Sequence, residues 1–217
     1  MLRIYGAFAP YFAQSVERHG VTDTMRGLVD TVRHAGMLVV WTRAAFRPGY
    51  PELILNTGLN RAIVDLGALV EGSKGAQIIP QLTPQHSEPI VSHPGTSAFP
   101  TTALDSILRR RGIDTVLFTG VATNVTVEGT ASDAVNLGYH TILISDACAA
   151  AADRARSDPC HILPSGKNCN RRAHRRCAHI GHSSGAEGNR GSAHYSRVIA
   201  RRRWVLPAAL YTCPRTR

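Results

Sequence analysis

Residues 114–150 read DTVLFTGVATNVTVEGTASDAVNLGYHTILISDACAA and predict a strand, a tight turn, a helix and a second strand. The apolar run 116–118 is typical of a strand that is buried on both faces. Gly120 opens the turn, and Gly138 is placed to end the helix in a left-handed conformation. Residues 141–144 form the next apolar run. Together they predict one βαβ unit of a parallel sheet.

The helix of this unit has a polar residue at its start and an apolar stripe along one side. Asn124 is a candidate N-cap, because its side-chain oxygen can accept a hydrogen bond from a free N–H of the first turn. The stripe follows helical spacing and consists of Val127, Ala131, Ala134 and Val135. Ligands of open α/β sheets bind at the carboxyl ends of the strands. The turn after Gly120 is therefore a predicted ligand site.

The segments TGVATNVTVEGTASDAV, LGY and TILISDACAA of this unit resemble the signature of the isochorismatase-like cysteine hydrolases, a superfamily that includes nicotinamidases. The family pattern is G-V-x-T-N-x-C-V-x-x-T-x-x-D-A, followed by G-Y and S-D-A. Thr126 stands where the family has its nucleophilic Cys. The resemblance implies an α/β fold with three α/β/α layers and a mostly parallel, open, Rossmann-like sheet. It also implies a cis peptide bond between Val121 and Ala122.

The same resemblance implies a hydrolase that acts without a cofactor on a small-molecule amide, at its C–N bond, or on a vinyl ether. In the family, a helix N-terminus and a Lys lower the pKa of the Cys, and an Asp acts as general acid or base. Isochorismatases proper lack the Cys and use the Asp to protonate a vinyl ether. The family also suggests a homo-oligomer. A catalytically inactive small-molecule-binding or interaction protein of the same fold remains an alternative.

A second segment, HPGTSAFPTTAL at residues 93–104, resembles the family's K-x-x-x-S-A-F-x-x-T-x-L, in which the Lys is catalytic. His93 takes the position of that Lys. A threonine hydroxyl is far less acidic than a thiol and needs an adjacent base, and an imidazole with a pKa near ~6.5 is suited to that role. We therefore predict Thr126 and His93 as a catalytic pair. The alternative is that Thr126 only fills space and that His93 hydrogen-bonds within its loop.

Further substrate contacts are predicted from the same segments and from the strand at 37–41. Arg43 follows this strand, and its guanidinium could hold an anionic substrate. The alternative is a solvated or structurally paired arginine. The predicted substrate-binding residues are Arg43, Phe99, Val121, Ala122 and Asn124.

The start of the chain lacks the strand with which the family begins. That strand carries the catalytic Asp at its carboxyl end, whereas the first Asp of this sequence is Asp23, at a predicted helix start. We therefore expect the first strand to be missing and its two neighbours in the sheet to have unpaired edges.

The remaining signals predict two more helices and a long loop. A helix at 22–36 has Thr22 as its cap, and a helix from Thr102 to Gly112 ends in three arginines, which suit a helix C-terminus. Residues 44–87 predict a loop with one or two short helices, of the kind that often covers a site.

Charge divides the chain near residue 156. Of the 25 basic and 15 acidic residues, 13 of each lie in residues 1–156, so the excess of positive charge falls in residues 157–217. We predict an isochorismatase-like domain at 1–156 and a basic tail rich in Cys, His and Arg at 157–217. No run of 18 apolar residues and no signal peptide is evident, so we expect a cytoplasmic protein with no membrane partner.

The tail has no helical or strand periodicity, and we predict it to be irregular. Cys160, Cys169 and Cys177 with the nearby histidines could hold zinc, but their spacing matches no C-x2-C pair, so we predict no metal. Its arginines predict at most weak binding of nucleic acid. Our preferred explanation for this composition is a shift of reading frame near residues 151–158.

Overall fold

A computed structural model describes residues 7–151 with their side chains, together with the backbone of two strands at 167–169 and 204–209. The described strands form one parallel sheet in the order β2-β1-β6-β3-β4-β5. Their bounds are β1 Leu38–Ala44, β2 Ile90–His93, β3 Thr115–Val121, β4 His140–Ala149, β5 Lys167–Cys169 and β6 Trp204–Ala209.

Helices cover both faces of this sheet, which confirms the predicted three-layer α/β/α fold. Their bounds are α1 Ala9–Arg18, α2 Val21–His34, α3 Gly58–Asp65, α4 Leu104–Arg110 and α5 Glu128–Asn136. On one face α1 and α2 pack on the sheet through a core that includes Met25 and Val29. On the other face α4 and α5 pack through Leu108 and Ala131. None of the described helices has the length and apolarity of a bilayer span.

Helix α2, which was predicted at 22–36, begins one residue earlier than predicted, and Thr22 is not its cap. The N-cap of α2 is Gly20, whose φ of 58° lies in the left-handed region that glycine adopts without strain. Thr22 lies inside the helix and is 1% exposed, because its position falls on the buried stripe with Met25. The predicted helix end is confirmed, since Gly36 has a φ of 67° directly after α2.

The predicted cap at Asn124 is also not present. Residues Thr123–Val127 form a π-helical turn that precedes α5, and Asn124 is exposed and makes no capping hydrogen bond. The backbone closes the turn instead, because the Ala122 carbonyl accepts hydrogen bonds from the N–H groups of Val125 and Val127, both at 3.2 Å. These two bonds satisfy backbone N–H groups at the helix start without a capping side chain.

The middle of the sheet differs from the sequence-based expectation. We expected unpaired edges on β1 and β3, but β6 lies between them and pairs with both in parallel. Leu38 is in register with Val205, and Thr115 is in register with Trp204. The run Trp204-Val205-Leu206 has the aromatic and β-branched residues that favour a strand. The expectation of a wholly irregular tail is therefore wrong for 204–209, and also for β5, which pairs with β4.

The other tail predictions concern residues outside those described. This applies to the boundary at 156, to Cys160, Cys177 and the histidines considered for zinc, and to the arginines considered for nucleic acid, whereas of Cys169 only the backbone is described, at the end of β5.

Candidate active site

A cavity of about 120 Å³ opens at the carboxyl edge of the sheet, beside the turn after β3. Its walls come from α1, α3, the end of β1, the loop after β2 and the turn that leads into α5. This is the edge at which open α/β sheets bind ligands. The structure thus places a cavity where the sequence predicts a site.

Thr126 lies on the wall of this cavity, at the end of the π-helical turn, and is 7% exposed. Its carbonyl accepts a hydrogen bond from the Thr130 hydroxyl at 2.6 Å. The same hydroxyl accepts a hydrogen bond from the Ala98 N–H at 3.1 Å. The helix start is thereby fixed to the segment that follows His93.

The turn before Thr126 has the geometry that the family resemblance implies. The Val121–Ala122 peptide bond is cis. Val121 and Ala122 both line the cavity, as predicted for substrate-binding residues. Thr126 follows four residues later, close to the positive end of the α5 dipole.

His93 lies at the end of β2 and is fully buried. Its ring nitrogen Nδ1 is 2.8 Å from the carbonyl oxygen of Gly95, so Nδ1 carries the proton and donates it to that oxygen. Nε2 then bears the lone pair, and it is buried without a hydrogen-bond partner among the described residues. Burial lowers the pKa of His93 from 6.5 to about 4, against the Gly95 bond, which raises it. His93 is therefore neutral at neutral pH.

The loop after His93 forms part of the cavity wall and is pressed against α5. Pro94, Gly95 and Thr96 line the cavity. A Cβ at Gly129, in the first turn of α5, would be 2.6 Å from the Thr96 carbonyl oxygen, closer than real Cβ atoms approach. Glycine at this position allows the loop to reach the helix start.

Three predicted substrate contacts lie away from the cavity wall. Arg43 donates hydrogen bonds from Nε to Ser92 Oγ at 2.9 Å and from a terminal nitrogen to the Ala76 carbonyl at 3.2 Å. Phe99 is buried in the α4–α5 core and stacks on Tyr139 with 5.8 Å between ring centroids. Asn124 is exposed. None of the three belongs to the lining among the described residues.

The cavity also has walls that the sequence-based prediction missed. Three phenylalanines contribute to them: Phe8 directly before α1, Phe12 in α1 and Phe46 after β1. Leu59, Asn60 and Ile63 contribute from α3. The amide nitrogen of Asn60 donates to the Ile54 carbonyl at 2.7 Å, which holds the start of α3 against the preceding loop. The signal that could have predicted these walls is the helical spacing of apolar residues, of Phe8 with Phe12 and of Leu59 with Ile63.

Charged groups are absent from the described part of the lining. No Lys, Arg, His, Asp or Glu of residues 7–151 contributes to it. Asp23, the first Asp of the chain, is exposed on α2. Within the same residues no group of three His, Cys, Asp or Glu side chains is close enough to hold a metal ion.

Comparisons with known proteins agree with this fold. Residues 7–160 match the family model described as "Isochorismatase domain". The chain is 37% identical over 139 residues to the ureidoacrylate amidohydrolase RutB of Klebsiella pneumoniae subsp. pneumoniae, a match that covers 58% of this chain. The matched part spans 59% of the length of that relative.

Solved structures give the same picture. The cysteine hydrolase from Pseudomonas syringae pv. phaseolicola is 26% identical, with a TM-score of 0.67, and the match covers 75% of this chain and 81% of that one. The N-carbamoylsarcosine amidase from Thermoplasma acidophilum is 28% identical, with a TM-score of 0.59, and the match covers 69% of this chain and 82% of that one.

Proposed function

Because the chain belongs to the isochorismatase family, we propose that it hydrolyses the C–N bond of a small-molecule amide bound in the cavity beside Thr126. The observation that carries the proposal is the position of Thr126 on the cavity wall at the start of α5. The names of two similar proteins, an amidohydrolase and an amidase, support an amide substrate.

In this proposal the Thr126 hydroxyl oxygen attacks the amide carbonyl carbon and passes its proton to Nε2 of His93. The carbonyl oxygen gains the negative charge, which the N-terminal dipole of the helical segment stabilises. Collapse of the tetrahedral intermediate expels the amine, which takes the proton from His93. Water then hydrolyses the Thr126 ester and restores the hydroxyl.

Two features make this pair weaker than a thiolate with a lysine. A threonine hydroxyl stays protonated at neutral pH, so it needs the base during attack. The lowered pKa of His93 makes its imidazole a poor base, because burial disfavours the charged form. We therefore expect slow hydrolysis.

The vinyl-ether route receives less support than amide hydrolysis. It needs a carboxylic acid to protonate the substrate, and no carboxylate lines the cavity among residues 7–151. The amide route uses Thr126, which lines the cavity, and His93, which does not line it but directly precedes the lining residue Pro94.

Ammonia release from a panel of primary amides tests the proposal on the full chain. Thr126→Ala removes the nucleophile and is expected to lower the rate by at least ~100-fold. Thr126→Cys is expected to raise it, because the helix N-terminus lowers a thiol pKa. Thr141→Ala is the matched control, since Thr141 is also a buried threonine, 6% exposed, in β4. A Thr126→Ala rate equal to wild type would overturn the assignment.

Binding without turnover is the second candidate function, and the burial of His93 away from the cavity lining favours it. Here wild type binds an amide without releasing ammonia, and His93→Ala changes nothing in the panel. In the hydrolase proposal, His93→Ala lowers the rate about as much as Thr126→Ala.

We also propose a homo-oligomer, cytoplasmic location and at most weak nucleic-acid binding through the tail. Exposed apolar side chains support self-association: Ile54 is 73% exposed and Leu55 is 48% exposed. Light scattering on the full chain measures the oligomeric state.

A further inference from the structure

We propose that the cavity accepts an uncharged, apolar substituent of the amide, about the size of a short alkyl chain, and rejects amides that carry a carboxylate. The inference rests on the proposed function, because it takes the cavity beside Thr126 as the substrate site. It goes further by naming the substrate class.

Most of the described lining is hydrocarbon, and its polar side chains are Asn60, Thr96 and Thr126. Phe8 and Phe12 come from α1 and its start, Phe46 follows β1, and Leu59 and Ile63 come from α3. Burial of an alkyl or aryl group against such side chains stabilises the complex in proportion to the apolar area removed from water. Such a lining does not favour the binding of a purely polar substrate.

Two of the polar lining residues, Thr126 and Thr96, lie beside the start of α5, whereas the third, Asn60, lies on α3 and donates from its amide nitrogen to the Ile54 carbonyl. Thr126 is next to α5, and the Pro94–Thr96 loop is held against the same helix through Gly129. An amide whose carbonyl is at Thr126 can place its substituent against the apolar side chains that make up most of the lining.

Charge excludes the acidic analogues. A carboxylate that leaves water without a cationic partner is strongly disfavoured. No basic side chain of residues 7–151 belongs to the lining, and the guanidinium of Arg43 is bonded to Ser92 and Ala76. A carboxylate in the cavity would have no counter-ion among the described lining residues.

Volume limits the size of the substituent. The cavity holds about 120 Å³, whereas an apolar cavity of about 150 Å³ accommodates benzene. A chain of three to five carbons therefore matches the space, and a benzene ring or a fused ring system exceeds it.

The test compares pentanamide with glutaramate, in which a carboxylate replaces the terminal methyl group of the same chain. Dissociation constants are measured by titration calorimetry on the full chain, and ammonia release is measured separately. Pentanamide is expected to bind at least ~10-fold more tightly. Equal or tighter binding of glutaramate, or no binding of pentanamide, overturns the inference.

A charge placed on the wall provides the second measurement. Leu59 lines the cavity and is 38% exposed, so Leu59→Arg can keep its guanidinium partly in water. This variant is expected to shift the preference toward glutaramate by about 10-fold. Leu66→Arg is the matched control, because Leu66 is 51% exposed directly after α3 and does not line the cavity. An equal shift in both variants overturns the inference, since bulk charge would explain it.

The two readouts separate the inference from the proposed function. If pentanamide binds preferentially but neither compound releases ammonia, hydrolysis of the amide fails as the proposed function and the apolar preference stands. If ammonia is released but glutaramate is the better substrate and ligand, the proposed function stands and the apolar preference is overturned.

Discussion

The Cα of Gly129 and the carbonyl oxygen of Thr96 lie so close that a Cβ on Gly129 would be 2.6 Å from that oxygen. Gly129→Ala therefore forces the loop 94–96 or the first turn of α5 to move. We expect a loss of about 2 kcal/mol in the free energy of unfolding, and a loss of amide binding, since the loop 94–96 and the turn that leads into α5 line the cavity. Urea denaturation and calorimetry measure the two effects.

The control for this change is Gly27→Ala in α2. No atom lies within 4 Å of a Cβ built at Gly27, so the alanine is expected to stabilise the helix by about 0.5–1 kcal/mol. A Gly129→Ala protein as stable as the Gly27→Ala protein would show that the contact is easily relaxed.

The burial of His93 predicts a loss of stability in mild acid. Its pKa is about 4 in the folded chain and 6.5 as an ordinary histidine. As the pH falls from about 6.5 to about 4, this histidine takes up a proton in the unfolded chain before it does so in the folded chain. The free energy of unfolding therefore decreases over this range. The free energy of unfolding is expected to be up to about 3 kcal/mol lower at pH ~4 than above pH ~6.5.

His93→Asn isolates this effect, because the asparagine amide can donate to the Gly95 carbonyl and does not titrate. Urea denaturation at pH 7 and pH 4.5 should show a smaller acid-induced loss in the variant than in the wild-type protein. Parallel losses in the two proteins would contradict the assigned role of His93.

A buried carboxylate on the opposite side of the fold predicts a second stability effect. Glu88 accepts hydrogen bonds from Arg33 Nε at 2.8 Å, Trp41 Nε1 at 2.8 Å and the Gln85 N–H at 2.8 Å. Burial raises its pKa, but these bonds more than offset burial, and the pKa of Glu88 is below its usual value. Glu88→Gln puts an NH2 group against donors, and we expect a loss of about 1–3 kcal/mol in thermal or urea unfolding.

The comparison for Glu88→Gln is Asp23→Asn, which weakens an exposed pair. Asp23 lies 3.3 Å from Arg26, with side chains that are 73% and 47% exposed. The expected change is below about 0.5 kcal/mol, because solvent screens such pairs. Equal effects of the two substitutions would argue against a special role for the Glu88 network.

The position of β6 between β1 and β3 predicts opposite effects for two exchanges of the same residue types. Leu206→Pro removes a backbone donor from a strand that is paired on both sides, and should destabilise the fold by about 3 kcal/mol or more. Pro207→Leu supplies a donor at the position in register with Val40, and should leave stability unchanged or raise it. Thermal unfolding of both variants decides: if Leu206→Pro unfolds like the wild-type protein, β6 is not part of the folded sheet.

The βαβ unit could be predicted because its signals are local. The apolar run before Gly120 and the glycine at position 138, with its φ of 88°, belong to the segments they define. The cis peptide at Val121–Ala122 followed from the family resemblance, and it is present.

The cavity wall could be predicted only in part, because its two halves depend on different kinds of signal. Val121, Ala122 and Thr126 belong to the recognisable turn, whereas Phe12 and Leu59 come from helices whose apolar residues would equally suit the core. Nothing local distinguishes a phenylalanine that lines a cavity from one that fills a core. Their grouping depends on how α1 and α3 pack.

The central strand could not be predicted from the sequence because strand pairing is not local. Residues 204–209 are short, contain Pro207 and follow three arginines, which are signals against a buried strand. Their role follows only from the gap between β1 and β3, which is apparent when the sheet is assembled.

Because β6 lies in the middle of the sheet but near the end of the sequence, the sheet can be completed only late in synthesis on the ribosome. At about 5–20 residues per second, several seconds pass between the synthesis of β3, which ends at Val121, and that of β6, which begins at Trp204. Through that interval the nascent chain holds two strands whose facing edges have no partner, and such edges pair readily with other chains. Its yield in a cell should therefore depend on chaperones that bind nascent chains, more than on the final stability of the fold.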